Sequence, residues 1–147
     1  MQQNLPLLNQ PPNWLLTALA EYGVREIPGI HASPRILQYH ATTTLRATSD
    51  EVPWCSAFVN WCMRECGIKG TDSAAARSWL AWGTPLQLPK LGCVVVFSSA
   101  RGADAGHVGF LQRSEQHWTY VLGGNQGNAV SLSPYETRSV LGFRWPS

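Results

Sequence analysis

The sequence predicts an α+β fold, with N-terminal helices packed on a C-terminal antiparallel sheet. Three observations predict it. Apolar residues recur at helical spacing in the first half, most clearly in EVPWCSAFVNW (residues 51–61). After Pro85 the pattern changes to short apolar runs broken by turn residues. The length of 147 residues and a hydrophobic share of 44% suit one core. Residues 13–147 are therefore expected to form a single domain behind an irregular arm over residues 1–12, where Pro6, Pro11 and Pro12 disfavour regular structure.

The elements follow in order. Asn13 can cap a helix that places Trp14, Leu15, Ala18, Leu19 and Tyr22 on one stripe and stops at Gly23. Ser33-Pro34 reads as a cap followed by proline at the first helical position, opening a short helix to Ala41 with Ile36 and Tyr39 inside. A third helix is expected from about Pro53 to Glu65, with Asp50 or Glu51 supplying negative charge at its start. Cys55, Phe58, Val59, Cys62 and Cys66 form its buried stripe. Ser73 can cap a further helix, AAARSWLAWG, on which Trp79 and Trp82 share a face. The strands are CVVVF (93–97), HVGFLQ (107–112), WTYVL (118–122), AVSL (129–132) and VLGFRW (140–145).

Composition excludes several classes. Net charge is +2 and no Lys/Arg run occurs, so a nucleic-acid partner is not expected. No apolar run approaches the ~18 residues of a membrane span, so insertion is not expected. The N-terminus lacks the basic and apolar regions of a signal peptide. Action outside the cytoplasm would then require another delivery route. The four cysteines have neither zinc-ligand nor disulfide-framework spacing, so no metal or other cofactor is expected. Cys62, Cys66 and Cys93 read as small buried hydrophobes. His31 and His40 read as surface or satisfied side chains.

Cys55 is different, because it lies at the N-terminal end of its helix. A thiol attacks as its thiolate, and a helix N-terminus and a nearby histidine both favour that form. His107 suits the second role. On its strand it shares a face with Gly109, and that glycine leaves room for the Cys55 helix to approach. If strands 107–112 and 118–122 form a hairpin, His107 faces residues 123–125. Asn125 then lies beside it to orient the ring, and Gln126 points to the opposite side if the strand continues. His117, the rival base, falls at a hairpin tip. Seven tryptophans are many for this length, and they suit either a core or a groove wall. Trp54, Trp79 and Trp82 are candidates for groove walls, with core packing the equal alternative. Ser56 and Gln126 join them as candidate substrate contacts.

The motifs EVPWCSAFVNW, AAARSW, GHVGF, LGGNQ and LGFRWP, in this order, resemble small bacterial and phage peptidoglycan hydrolases of the papain-like NlpC and CHAP groups. The resemblance runs from about Trp14 to Pro146. It implies a papain-like catalytic domain with Cys55 as nucleophile, His107 as general base and Asn125 as third member. The third position varies across these groups, which leaves Asn125 and Gln126 open. It further implies peptidoglycan as substrate, cleaved at an amide of the stem peptide or at its junction with muramic acid. Such proteins act in phage lysis or as toxins delivered by secretion systems. Delivery to the periplasm or cell wall and a cognate inhibitor protein follow as expectations, and the chain is expected to act as a monomer. Acyl transfer at the same Cys-His site and a catalytically silent wall-binding module are the competing readings.

Overall fold

The computed structural model describes residues 10–29 and 31–147. Residues 1–9 of the expected arm lie outside this range. Helices come first: α1 (Asn13–Ala20), α2 (Pro34–His40) and α3 (Cys55–Glu65), followed by a 3-10 turn, Ala76–Ala81. Six strands follow: β1 (Thr84–Leu86), β2 (Val94–Ser99), β3 (Gly102–Ser114), β4 (Trp118–Gly123), β5 (Ser131–Glu136) and β6 (Val140–Trp145). They form one antiparallel sheet in the order β1-β6-β2-β3-β4-β5. The α+β expectation therefore holds. Among the described residues, no helix is long and apolar enough to cross a membrane.

Alternation along the strands divides the core in two. Val94, Val96, Val108, Phe110 and Leu122 face the helices and pack with Leu15, Ile36, Tyr39, Phe58 and Met63. Val95, Phe97, Leu111 and Val121 face the other way, against Leu86, Tyr135, Val140 and Phe143. That second cluster exists because the sheet curls. Phe97 of β2 and Tyr135 of β5 stack with ring centroids 4.8 Å apart. In a flat sheet these strands would be ~14 Å apart, three strand spacings.

Helix starts differ from expectation in their caps. Ser33 does cap α2, accepting from the Ile36 N–H, and Pro34 follows it. Asn13 is instead the first helical residue of α1, after Pro12. Leu15 and Ala18 are buried, but Leu19 and Tyr22 are exposed, because α1 shows the core a narrower stripe than its sequence offers. Asp50 does not serve α3. Its carboxylate accepts from the N–H groups of Ile27 and Ser33, pinning the loop before α2. The expected helix over AAARSWLAWG is a 3-10 turn that begins only at Ala76.

Gly124 sets how closely α3 approaches the sheet. A Cβ there would lie 2.7 Å from the Trp54 ring and 2.8 Å from Phe58 Cβ. The expected relief at Gly109 is not used, since that residue faces Val121 and Leu122 rather than the helix. His40 is not a surface residue. It is fully buried, and neither ring nitrogen has a hydrogen-bond partner among the described residues. Burial lowers its pKa, opposed in part by the Ser49 backbone and the Asp50 carboxylate.

Two predictions follow from this packing. Gly124→Ala should lose about 1–3 kcal/mol of stability through overpacking, read by denaturant titration of tryptophan fluorescence; a loss within error would show that α3 can retreat freely. His40 gives stability a pH dependence. Above the ordinary histidine value both folded and unfolded chains hold it neutral. Below that value the unfolded chain takes up a proton and the folded chain does not, until pH reaches the depressed folded value. Wild type should therefore lose more Tm than His40→Leu between about pH 7 and pH 5. Equal slopes would contradict this.

Candidate active site

Cys55 opens α3, and the residue before it fastens the helix start. Trp54 is fully buried and stacks on Tyr39 with centroids 5.8 Å apart. Its indole N–H donates to Glu26 Oε2 at 2.9 Å. The first turn of a helix has backbone N–H groups without intrahelical partners. Those of Ser56, in that first turn, and of Val108, on β3, favour the ionised form of the Cys55 sulfur.

His107 lies on β3, paired across from Phe97, at the mouth of the curled sheet. Its Nε2 is 2.7 Å from Gln126 Oε1. The orientation of that amide follows from its other end. Gln126 Nε2 donates to the Ser131 carbonyl at 2.6 Å and to the Val121 carbonyl at 3.3 Å, and carbonyls only accept. Oε1 is thus the end facing the histidine, and the imidazole must carry a proton on Nε2. Nδ1 is left for Cys55, the neighbour that raises the His107 pKa against the effect of burial. Gly123 makes this possible, since a Cβ there would sit 2.6 Å from Gln126 Oε1.

The electrostatics are a contest. Burial pushes the Cys55 thiol up, but His107, with the Val108 and Ser56 N–H groups, brings it below its ordinary value. Burial pushes His107 down, and Cys55 together with Gln126 brings it above its ordinary value. The two shifts favour the same state, a thiolate beside an imidazolium. Cys62 and Cys93 have no histidine to offset their burial. Burial pushes Cys62 well up and Cys93 up to about 11.

A cleft of about 360 Å³ opens over the pair. Cys55, His107, Asn125 and Tyr135 reach it, Ala74, Ala75 and Ala76 line it, and Arg101 from the β2–β3 turn and Asp104 from the start of β3 reach it too. A hollow of about 400 Å³ at the β3–β4 tip holds His117 and Trp118 but no cysteine. Among the described residues, no group of three or more His, Cys, Asp or Glu side chains is placed to hold a metal ion.

Several expectations are corrected here. Gln126, not Asn125, bonds to His107. β4 ends at Gly123, and Asn125 has φ 58, so strand alternation no longer applies where it was used to choose between them. Asn125 lies on the cleft wall instead. Gln126 is buried among its partners and is not a substrate contact. Trp54, Ser56 and Trp79 are fully buried, so they wall no groove. The Trp79 indole donates to Ser56 Oγ, which donates in turn to the Ser73 carbonyl. Trp82 packs edge-on against Trp79 and donates to the Lys69 carbonyl, outside the cleft. Tyr135 also belongs to the site, although the sequence does not single it out. It stacks on His107 with centroids 4.8 Å apart, a contact that depends on the curl of the sheet and leaves no local signal.

Comparison with curated proteins finds no match. Among solved structures, the chain is similar to a crystal structure described as similar to a lipoprotein of the NLP/P60 family, from Staphylococcus aureus. The TM-score is 0.54 at 17% identity, and the match covers 92% of this chain and 41% of that one. This likeness is one of fold, and the chain spans less than half the length of that protein. The family model described as the CHAP domain matches residues 47–125, from the loop before α3 to the turn after β4 and just over half of the sequence. The fold of helices and antiparallel sheet is shared with that structure, and with the family match running across the Cys55 and His107 elements, the chain belongs to the CHAP domain family.

Proposed function

We propose that this protein hydrolyses an amide bond in the peptide part of peptidoglycan through a thioester on Cys55. The row Cys55–His107–Gln126, open to a cleft, carries the reading. The Cys55 thiolate attacks the amide carbonyl carbon. The oxyanion that forms meets the backbone N–H groups of the first turn of α3, which lie beside the sulfur. Ser56 Oγ takes no part, being committed to Ser73. His107 then gives its Nδ1 proton to the leaving amine as the C–N bond breaks. Water, deprotonated by the now neutral imidazole, attacks the thioester and releases the acid, and the thiolate–imidazolium pair is restored. Gln126 keeps the Nε2 proton in place throughout, and Asn125 on the cleft wall contacts substrate.

Two bonds suit this chemistry: the amide joining muramic acid to L-Ala, and the D-Glu to diaminopimelate bond. A chain made in the cytoplasm would reach either by a secretion system or phage lysis machinery, and a producing cell would need an inhibitor protein.

The thiolate–imidazolium pair sets the pH profile. Activity should rise as pH passes the lowered Cys55 value and fall as it passes the raised His107 value. Digestion of purified cell wall followed by mass spectrometry of the muropeptides identifies the bond. Cys55→Ala should release none, and digestion equal to wild type would rule out Cys55 as nucleophile. Gln126→Ala should lower kcat by about ten- to a hundredfold through loss of ring orientation. It should also move Cys55 alkylation by iodoacetamide to higher pH, followed at the Cys55 peptide. Asn125→Ala should leave that alkylation profile in place, and the reverse outcome would exchange the two assignments.

A further inference from the structure

We propose that Tyr135 is a positioning residue for His107, fixing the plane of the imidazole while Gln126 fixes its in-plane direction. The proposal rests on the hydrolase reading above. One hydrogen bond at Nε2 leaves the ring free to rotate about the bond joining it to Cβ, and such torsions have broad minima. That rotation would swing Nδ1 away from the sulfur.

The structure closes that freedom from one face. Tyr135 stacks on His107 with centroids 4.8 Å apart and planes 24° apart. It stacks equally on Phe97, at 4.8 Å and 28°. Phe97 is the cross-strand partner of His107 and is fully buried, so the tyrosine has a rigid backing. β5 is two strands away from β3, and only the curl of the sheet delivers the ring. An aromatic face also favours a cation beside it, here the imidazolium.

Charged and titratable neighbours come from each surrounding element. Cys55 faces His107 from α3. Arg101 from the β2–β3 turn and Asp104 from the start of β3 reach the cleft, and Arg77 of the 3-10 turn donates to the Ala105 carbonyl nearby. None of these stacks on the ring. Among the described residues the Tyr135 hydroxyl makes no hydrogen bond, which assigns the role to the ring.

The test compares wild type with Tyr135→Phe, Tyr135→Leu and Tyr135→Met, measuring Tm, peptidoglycan digestion and the pH profile of Cys55 alkylation. Tyr135→Phe should keep kcat within about twofold, since the stack survives. Tyr135→Leu and Tyr135→Met should lower kcat about tenfold, with KM within about threefold, through misorientation of the base. Both should move Cys55 alkylation to higher pH. If Tyr135→Leu does not fold, the more adaptable methionine decides. A lowered Tm with an unchanged alkylation profile would overturn the proposal, as would a loss in Tyr135→Phe equal to that in Tyr135→Met. If wild-type Cys55 alkylates like a free thiol, the hydrolase reading falls and this proposal with it. If wild type alkylates at low pH and Tyr135→Met does so too, the Tyr135 proposal falls alone.

Discussion

Two opposing forces meet at the Cys55 sulfur. Its near-complete burial favours a neutral thiol, while His107 and the N–H groups of Ser56 and Val108 favour the thiolate. The second set wins only if a helix start and a strand are brought together, and much of the fold supports that meeting. Gly124 lets Trp54 and Phe58 press against the turn after β4, and Gly123 leaves space for the Gln126 amide. Gln126 also draws the histidine toward β5 through the Ser131 carbonyl.

The tryptophans that crowd this short sequence serve the same end in a different way. Trp14, Trp54, Trp79 and Trp82 each donate an indole N–H, to the Gly92 carbonyl, the Glu26 carboxylate, Ser56 Oγ and the Lys69 carbonyl respectively. Each bond ties a helix or its flank to a segment distant in sequence. Their large apolar bodies fill space while the polar edge specifies where the connecting chain must run. The cleft wall beside Cys55 is built instead from three alanines, which leave the room that tryptophans would have filled.

What could be read from the sequence was whatever depends on neighbours along the chain. Cys55 at a helix start, Ser33-Pro34 as a cap, and the positions of β2, β3, β4 and β6 all follow from local pattern. The choice between Asn125 and Gln126 did not, because it turned on whether the strand continued past Gly123. A single left-handed residue at 125 reversed the answer. Tyr135 was illegible for a related reason. Its stacking on His107 depends on sheet curvature, which no single strand encodes. The burial of His40 has no local signal either, because it is set by the surrounding loops rather than by its own helix.

The spread of the site along the chain has a consequence of its own. The groups that lower the Cys55 pKa, and the amide that keeps His107 aligned, come from positions between 55 and 126, and they meet only when sheet and helix have docked. An unfolded chain holds four ordinary thiols and no activated one. Reactivity is therefore a tertiary property, absent from the nascent polypeptide and gained only on completion of the fold.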